Sequence, residues 1–378
     1  MINIVNTDIT YPELNRNPRI LLGPGPSMVH PRVTSAMTAP MIGHLDPCFL
    51  QLMDKTQELL RYVFQTKNRV TIPISGTGSA GMEASLANFI EDGTPVLVCT
   101  NGFFGNRLVE MAERYRADLS VLRCPWGKAF TLDEIAEELK RKPAKVVAIV
   151  HAETSTGVLQ PLEGLADIVH DQGGILVVDA VTSLTGINIP VDELGIDVCY
   201  SGTQKCLGVP PGLAPFTVSE RAIEVIRNRK TKVSSWYLDL SIINAYWGKD
   251  RSYHHTAPVS MNYALYEGLR MVWEEGLENR WARHVENARL FWDGLEEIGL
   301  KPFIPEAQRL TTLTTVKIPS GVNDLEIRNQ LLKVYNIEIA GGIGDLKGEI
   351  WRIGLMGYSS RKENLLLLLA AFKKLLNR

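Results

Sequence analysis

The sequence lacks the features of several specialised protein classes. Its 40 Lys and Arg residues stand against 42 Asp and Glu residues, a formal charge of −2, so the composition does not favour a nucleic-acid partner. The five cysteines form no Cys-x-x-Cys pair, which argues against a disulfide framework and a structural zinc site. Such cysteine usage is typical of a reducing compartment. We therefore expect a cytoplasmic protein without a metal site.

Long apolar runs are also absent from the sequence, and we expect its first residues not to form a secretory signal. The longest apolar stretch, LLLLLAAF at 365–372, is too short to cross a bilayer. The opening segment, MINIVNTDITYPELN, has no basic start followed by an apolar run. Hydrophobic residues make up 45% of the 378 residues and charged residues 22%, which suits a globular protein without a membrane partner.

Strand and helix signals alternate between residues 70 and 215. Apolar segments predict strands at 70–75, 95–100, 145–153, 174–180 and 196–200. Periodic segments predict helices at 81–93, 104–115 and 162–173, and VPPGLAPF predicts a turn at 209–216. Because the apolar strands do not alternate strictly with polar residues, we expect burial on both faces and a parallel α/β sheet with right-handed crossovers.

The pattern changes near residue 260, where helical periodicity extends over a long segment. Strand-like stretches, TTLTTVKIP and IWRIGL, and a closing helix at 360–377 follow it. We predict three parts: an N-terminal extension (1–17), a large α/β domain (18–275) and a smaller C-terminal α+β domain (276–378).

A glycine-rich loop, GTGSAG at 76–81, joins the first predicted strand to a helix. It fits G-x-G-x-x-G, but a dinucleotide site also needs an acid at the end of the second strand, and VCTNG at 98–102 has none. Helix N-terminal N–H groups with the hydroxyls of Ser75, Thr77 and Ser79 would instead bind one phosphate. A tight turn without a ligand is the alternative.

An acid and a lysine follow neighbouring predicted strands. Asp179 ends GILVVD, and Lys205 lies 26 residues later in YSGTQKCLG, so both should reach the sheet edge that carries the glycine loop. A lysine can form a Schiff base, and an acid can keep a pyridine nitrogen protonated. Together with a phosphate site they fit pyridoxal 5′-phosphate (PLP). A solvated lysine and a capping aspartate are the alternatives.

Motifs over nearly the whole chain, from about Pro18, resemble those of class V PLP-dependent aminotransferases, close to alanine–glyoxylate and serine–pyruvate aminotransferases. The motifs are LLGPGPS (21–27), YVFQTKN (62–68), SGTGSAGMEASLAN (75–88), HAETSTGVLQPLEG (151–164), VVDAVTSL (177–184), YSGTQKCLGVPPG (200–212), YHHTAP (253–258) and WRIGLMG (351–357). The resemblance implies the PLP-dependent transferase fold type I, with a mostly parallel seven-stranded sheet in the large domain.

The resemblance also implies roles for individual residues. Lys205 would carry the cofactor and move the proton, and Asp179 would bind the pyridine nitrogen. Phe104, at a position that is tryptophan in vertebrate members, would stack on the ring. The remaining cofactor residues implied in this way are Thr77, Gly78 and Ser79 at the phosphate, Thr154 at the ring hydroxyl, Val181 on the ring and Gln204 near the phosphate.

Substrate and subunit contacts are implied by the same comparison of motifs. Arg352 would bind the substrate carboxylate, and the backbone at Gly23 would approach the substrate. In the family the segment containing Tyr253 and Thr256 crosses to the neighbouring subunit. We therefore expect a homodimer with shared active sites, in which these two residues reach the partner's phosphate. The alternative is that Thr256 caps the following helix and the aromatic residues of the segment pack within one chain.

The expected reaction moves an amino group from a small amino acid, alanine first, to glyoxylate, giving glycine and a 2-oxo acid. Serine as donor, in a serine–pyruvate or serine–glyoxylate reaction, is the close alternative. A class V lyase such as a cysteine desulfurase is a further alternative, with Cys48 as its thiol. The last alternative is a binding protein that retains the fold but has no enzymatic activity.

Overall fold

The structure is a computed structural model that describes residues 11–14 and 17–377. The predicted N-terminal extension, 1–17, lies outside the described residues except for 11–14 and 17. The strands are β1 (Ile20–Leu21), β2 (Val70–Ser75), β3 (Pro95–Thr100), β4 (Asp118–Arg123), β5 (Val146–Val150), β6 (Ala152–Glu153), β7 (Val158–Leu159), β8 (Ile175–Asp179), β9 (Val198–Tyr200), β10 (Leu213–Val218), β11 (Leu313–Lys317), β12 (Ile337–Glu338), β13 (Ala340–Gly341) and β14 (Ile350–Gly354).

The helices lie between and after these strands, with three short 3₁₀ turns at Glu306–Gln308, Gly344–Leu346 and Gly357–Ser359. The α-helices are α1 (Pro31–Met37), α2 (Pro47–Phe64), α3 (Gly78–Ala87), α4 (Phe103–Arg114), α5 (Leu132–Arg141), α6 (Leu165–His170), α7 (Glu220–Arg227), α8 (Leu240–Trp247), α9 (Val259–Glu275), α10 (Leu277–Glu297), α11 (Asp324–Tyr335) and α12 (Lys362–Leu375).

A seven-stranded sheet with the order β2-β10-β9-β8-β5-β3-β4 forms the centre of the fold. Only β10 runs antiparallel to its neighbours, β2 and β9; the other pairs are parallel. Every residue of β5 and β8 is buried, as the unbroken apolar runs predict for strands covered on both faces. The mostly parallel seven-stranded sheet is therefore confirmed.

Three local features differ from the sequence prediction. The predicted turn at 209–216 is wrong in its second half, because the apolar run LAPFTV forms the buried strand β10; the PPG before it outweighed that signal. Strand β4 at the sheet edge escaped prediction because its residues are half-exposed and both its ends are charged. The sequence of the connection at 231–258 indicates a long, mostly irregular segment, but α8 lies within it, capped by the Asp239 side chain.

The C-terminal part contains a second sheet, β11-β14-β13, which is antiparallel. Helices α10, α11 and α12 pack against it around Phe291, Trp351 and Phe372. Strand β1, from the other end of the chain, pairs with β12 in parallel. The division into domains at 18–275 and 276–378 stays a prediction. None of the helices in the described part of the chain has both the length and the apolar character to span a membrane.

Candidate active site

A cavity opens at the carboxyl ends of the parallel strands, where open α/β sheets bind their ligands. Its lining includes residues from the loops after β2, β8 and β9. Nine of the predicted site residues line it: Thr77, Gly78, Ser79, Phe104, Thr154, Asp179, Val181, Gln204 and Lys205. The glycine loop, the acid and the lysine therefore meet at one sheet edge, as their order in the sequence predicts.

Asp179 is the last residue of β8 and its side chain is only 3% exposed. Its two carboxylate oxygens accept hydrogen bonds from different donors: Oδ1 from the Val181 backbone N–H at 2.8 Å and Oδ2 from the Tyr200 hydroxyl at 2.8 Å. Burial raises the pKa of Asp179 to about 6, although both hydrogen bonds oppose that rise. A buried acid without a cation bonded to it is suited to binding a protonated ring nitrogen.

Lys205 lies in the loop after β9, and the Ser27 hydroxyl bonds to its carbonyl oxygen at 2.7 Å. Its ammonium donates a hydrogen bond to the carbonyl of Pro24. Burial lowers the pKa of Lys205 to about 8, and the nearby charge of Arg352 acts in the same direction. A side chain at position 25 would collide with the lysine, and the φ angle there is +106°, so the turn beside Lys205 requires Gly25.

The end of the cavity where a phosphate is predicted to bind is formed by the N-terminus of α3. Thr77 is the N-cap of this helix, yet its side chain makes no capping hydrogen bond. Ser79 accepts a hydrogen bond from the Arg107 guanidinium at 3.3 Å. Ser75 was predicted to contribute a hydroxyl here, but it does not line the cavity and instead bonds to His255 Nε2 at 2.6 Å. The prediction for Ser75 does not hold in this conformation.

Arg352 and Gly23 lie beside this cavity rather than in its lining. Arg352 is buried on β14, and its Nε donates to the carbonyl of Gly341 at 2.8 Å. Burial lowers the pKa of Arg352 to about 10. Gly23 is held close to the same strand, since Leu22 accepts a hydrogen bond from the Gly354 N–H at 2.8 Å. Both residues thus adjoin the loop that carries Lys205.

Tyr253 and Thr256 lie apart from the cavity lining and face solvent in the single chain. Tyr253 is 63% exposed, and among the aromatic rings of the described residues it contacts that of His44. The N-cap of α9 is Pro258, with no side-chain capping bond, so the capping alternative for Thr256 is not supported.

The aromatic residues of the same segment divide into two groups. Tyr246 and Trp247 are buried in the chain's own core, whereas Trp236 and Tyr237 are exposed. Packing within one chain therefore buries two of these aromatic residues. Trp236 stacks on the His254 ring at 4.5 Å and the Tyr237 hydroxyl donates to the Ser75 carbonyl at 3.1 Å, yet both side chains remain exposed.

Three residues of the site were missed by the sequence analysis. Arg107 lines the cavity one helical turn after Phe104, and that i, i+3 spacing in a predicted helix is the signal that could have found it. Tyr200 reaches Asp179 because β8 and β9 pair them directly, a register that the sequence does not reveal. Glu153 is buried beside Thr154 in the HAETSTG motif, where an acid next to an apolar strand is the available signal.

The side chains present fit PLP. The Gln204 side chain lines the cavity, where its amide nitrogen can donate to a phosphate, and the Thr77 hydroxyl makes no capping bond. With the Arg107 cation, these groups form a polar end for a phosphate. At the other end Lys205 and Asp179 offer an amine with a lowered pKa and an acid with a raised one. This set of donors and acceptors matches a phosphorylated pyridine aldehyde.

Comparison with known proteins agrees with this geometry. The family model of class-V aminotransferases matches residues 25–355. An (S)-ureidoglycine–glyoxylate transaminase of Bacillus subtilis is 43% identical, covering 95% of this chain and 91% of that protein. An alanine–glyoxylate aminotransferase of Rattus norvegicus is 42% identical over 92% of this chain and 84% of its own length.

A solved structure has the same fold as this chain over nearly its whole length. The alanine–glyoxylate aminotransferase from Nostoc sp. is 49% identical, with a TM-score of 0.97 and coverage of 98% of this chain and 99% of that chain. The PLP-dependent transferase fold inferred from the motifs is confirmed. The chain belongs to the class-V aminotransferase family and is a PLP-dependent aminotransferase that acts on amino-acid and oxo-acid substrates.

Proposed function

We propose that this enzyme transfers the amino group of a small amino acid, alanine in the first place, to glyoxylate, giving glycine and pyruvate. The observation that carries the proposal is the convergence of Lys205 and Asp179 in one cavity, with Arg352 close enough to lower the lysine's pKa. Glyoxylate is the acceptor named for the relatives from three different sources.

The residues of the cavity have different proposed roles: proton transfer, stabilisation of charge and orientation of the ring. Bound PLP supplies the electron-withdrawing ring that makes the Cα proton of the amino acid acidic. Lys205, with its pKa lowered to about 8, has a substantial neutral fraction near that pH, so its Nζ can remove and return this proton. Asp179 keeps the ring nitrogen protonated. Phe104 and Val181 lie at the cavity wall, where they can enclose the ring and exclude water.

Arg352 is proposed to bind the carboxylate shared by all the substrates. Its Nε is already bonded to the Gly341 carbonyl, which fixes the guanidinium plane and leaves its two terminal nitrogens to form a bidentate pair. The backbone at Gly23, next to the same strand, limits the space for the substrate. This arrangement favours short amino acids and a short oxo acid.

The amino donor distinguishes three versions of this proposal. Alanine and serine are both small, and the (S)-ureidoglycine of the Bacillus relative adds a polar ureido group to the same amino-acid core. Steady-state kcat/KM for alanine, serine and (S)-ureidoglycine with glyoxylate, and for serine and (S)-ureidoglycine with pyruvate as well, tests them, because alanine with pyruvate gives no net reaction. We expect glyoxylate to be preferred wherever both acceptors are tested. If no donor supports turnover with glyoxylate while another oxo acid does, the proposal is wrong.

A desulfurase reaction is not favoured by the position of the cysteines. Cys48 is exposed in the first turn of α2 and does not line the cavity. Cys206 follows Lys205, but it is buried, and burial raises the pKa of its thiol to about 12. Neither thiol combines access to the cavity with thiolate character, which a sulfur-accepting nucleophile needs. Absence of sulfide release from free cysteine would agree with this.

The proposed unit is a twofold homodimer with shared sites. Its support is the exposure of Tyr253, Trp236 and Tyr237 on a segment that is otherwise anchored by buried aromatic residues, since aromatic residues are enriched at protein interfaces. Tyr253 and Thr256 would then complete the partner's phosphate site. A cytoplasmic location is part of the proposal, and the five cysteines, all free thiols, suit a reducing compartment.

A further inference from the structure

Glu153 is a fully buried acid, with 0% of its surface exposed, at the end of β6. Its Oε1 accepts hydrogen bonds from the Ser155 N–H at 3.0 Å and the Ser155 hydroxyl at 2.6 Å. Its Oε2 accepts from the N–H groups of Phe104 at 3.1 Å and Gly105 at 3.2 Å. Four hydrogen-bond donors from the described residues therefore surround the group. Burial raises the pKa of Glu153, and these four hydrogen bonds oppose that rise by stabilising the carboxylate.

These contacts complete the N-terminus of α4, which has no cap of its own. The N-cap residue, Gly102, carries no side chain, and no capping bond is made there. The N–H of Phe103 donates to the Ser155 hydroxyl at 2.9 Å, and the next two N–H groups donate to Glu153. A helix start leaves its first N–H groups without helical partners, and a carboxylate at this end also interacts favourably with the positive end of the helix dipole. The cap of α4 is therefore supplied by the segment after β5.

The contact is too close to tolerate a side chain in the helix cap. A Cβ atom added at Gly102 would overlap the Glu153 side chain and lie 2.5 Å from the Ser155 hydroxyl oxygen. The backbone of the α4 start is thus pressed directly against the acid. Movement of Glu153 would change the position of the first turn of α4.

The first two turns of α4 place two side chains in the lining of the cofactor cavity. Phe104 lies at the wall where ring stacking is predicted, and Arg107, one turn later, donates to Ser79 at the phosphate end. The Arg107 guanidinium lies 5.1 Å from the centre of the Phe104 ring. The position of this short helical segment therefore determines where both the Phe104 ring and the Arg107 guanidinium lie in the cavity.

We propose that Glu153 is a positioning residue for the cofactor: by capping α4 from a neighbouring segment, it fixes Phe104 and Arg107 in the geometry that binds PLP. The proposal rests on the predicted stacking role of Phe104 and not on the identity of the amino donor. A failure of glyoxylate transamination would therefore leave it standing, and the test uses cofactor binding instead.

The first experiment measures PLP affinity in Glu153→Ala, Glu153→Gln and the parent by titrating apoprotein and following visible absorbance and circular dichroism. We expect Glu153→Ala to weaken PLP binding about tenfold, as expected when a preorganised contact loses its fixed geometry, and to reduce the induced dichroism per bound PLP. Glu153→Gln keeps one accepting oxygen for the Phe104 and Gly105 N–H groups, so its effect should be smaller.

Glu134→Ala is the matched control. Glu134 likewise accepts a hydrogen bond from the start of a helix, since its Oε2 bonds to the Thr131 N–H at 2.8 Å in the capping box of α5, and it does not line the cavity. This variant should lower the melting temperature without changing PLP affinity. If Glu153→Ala behaves like the control, with affinity and dichroism within twofold of the parent, Glu153 is merely structural and the proposal is overturned.

A double-mutant cycle separates positioning from a direct electrostatic effect. If Glu153 acts through the two groups that it positions, most of the loss caused by Glu153→Ala should disappear in a background that already carries Phe104→Ala and Arg107→Ala. An equal loss in both backgrounds would overturn the proposal. Should Glu153→Ala not fold, Glu153→Gln and Ser155→Ala, which removes the bond to the Phe103 N–H, take its place in the same cycle with the same criterion.

Discussion

The charge on Asp179 should destabilise the fold of the apoprotein, so that Asp179→Asn makes the apoprotein more stable. The carboxyl pKa is raised from 3.8 to about 6, mainly by burial. A difference of about 2 pKa units corresponds to about 3 kcal/mol in the free energy of unfolding, and we take this as an upper value. The amide keeps the shape: its oxygen can accept from the Val181 N–H, and its nitrogen can donate to the Tyr200 hydroxyl oxygen.

The sign and the pH window follow from the direction of the shift. Because the folded pKa lies above the unfolded value, the folded protein holds its proton longer. The associated stability is fully present below pH 3.8 and is lost as the pH rises through about 6. The advantage of Asp179→Asn over the parent should therefore be near zero at about pH 3.8 and reach a plateau above pH 7. Groups that have no charge interaction with Asp179 titrate equally in both proteins and cancel in the difference.

The assay is urea unfolding of both apoproteins across this pH range, repeated with saturating PLP. We expect PLP to stabilise the parent more than the variant, because only the parent presents a carboxylate to the ring nitrogen, and kcat of the variant to fall. Asp171→Asn, the same chemical change at an exposed site, is the control and should alter stability little. A variant apoprotein that is less stable than the parent by the same amount at every pH would refute the reasoning.

Three further predictions concern the other site residues. Lys205→Ala should lower single-turnover rates by roughly 10²–10⁴-fold even with PLP bound, since it removes the proton-transfer group; near-normal turnover would contradict its role. Arg352→Ala should lower kcat/KM for donor and acceptor alike, each by a factor that corresponds to about 1.5–3 kcal/mol of lost transition-state stabilisation, with PLP affinity nearly unchanged. Loss of PLP affinity alone would show that Arg352 has a structural role. Mixed dimers of a Lys205→Ala chain and a Tyr253→Ala, Thr256→Ala chain should recover activity, up to about one intact site per dimer; heterodimers that are confirmed by mass but remain inactive would show that sites are not shared.

The sequence was most informative where the fold follows directly from local pattern. The unbroken apolar run before Asp179 predicted a strand buried on both faces, and the rule that ligands bind at strand carboxyl ends placed Asp179 and Lys205 at one edge. Strand β10 was the main error, because Pro and Gly signals at 209–212 outweighed the buried run that follows. Local turn chemistry and tertiary burial disagree there, and burial determines the outcome.

The residues that escaped prediction are those that act through contacts between distant segments. Tyr200 reaches Asp179 through strand pairing, and Glu153 reaches Phe104 across 49 residues of sequence. Neither contact is accompanied by a periodic pattern or a motif in the sequence from which it could be predicted. Both depend on the register of the central sheet, which is fixed only when the whole core has formed.

The charges around the cavity explain why such contacts are needed. Two buried acids, Asp179 and Glu153, lie near three cations, Lys205, Arg107 and Arg352. A phosphate monoester carries about −1.5 to −2 charges at neutral pH, and each substrate adds a carboxylate, so one cation can face each anion while the lysine is used for chemistry. Buried charges are tolerated only when their partners are held in good geometry. The capping of α4 by Glu153 and the bond from Tyr200 to Asp179 keep the acids occupied by neutral donors, which leaves the cations available for the cofactor and the substrate.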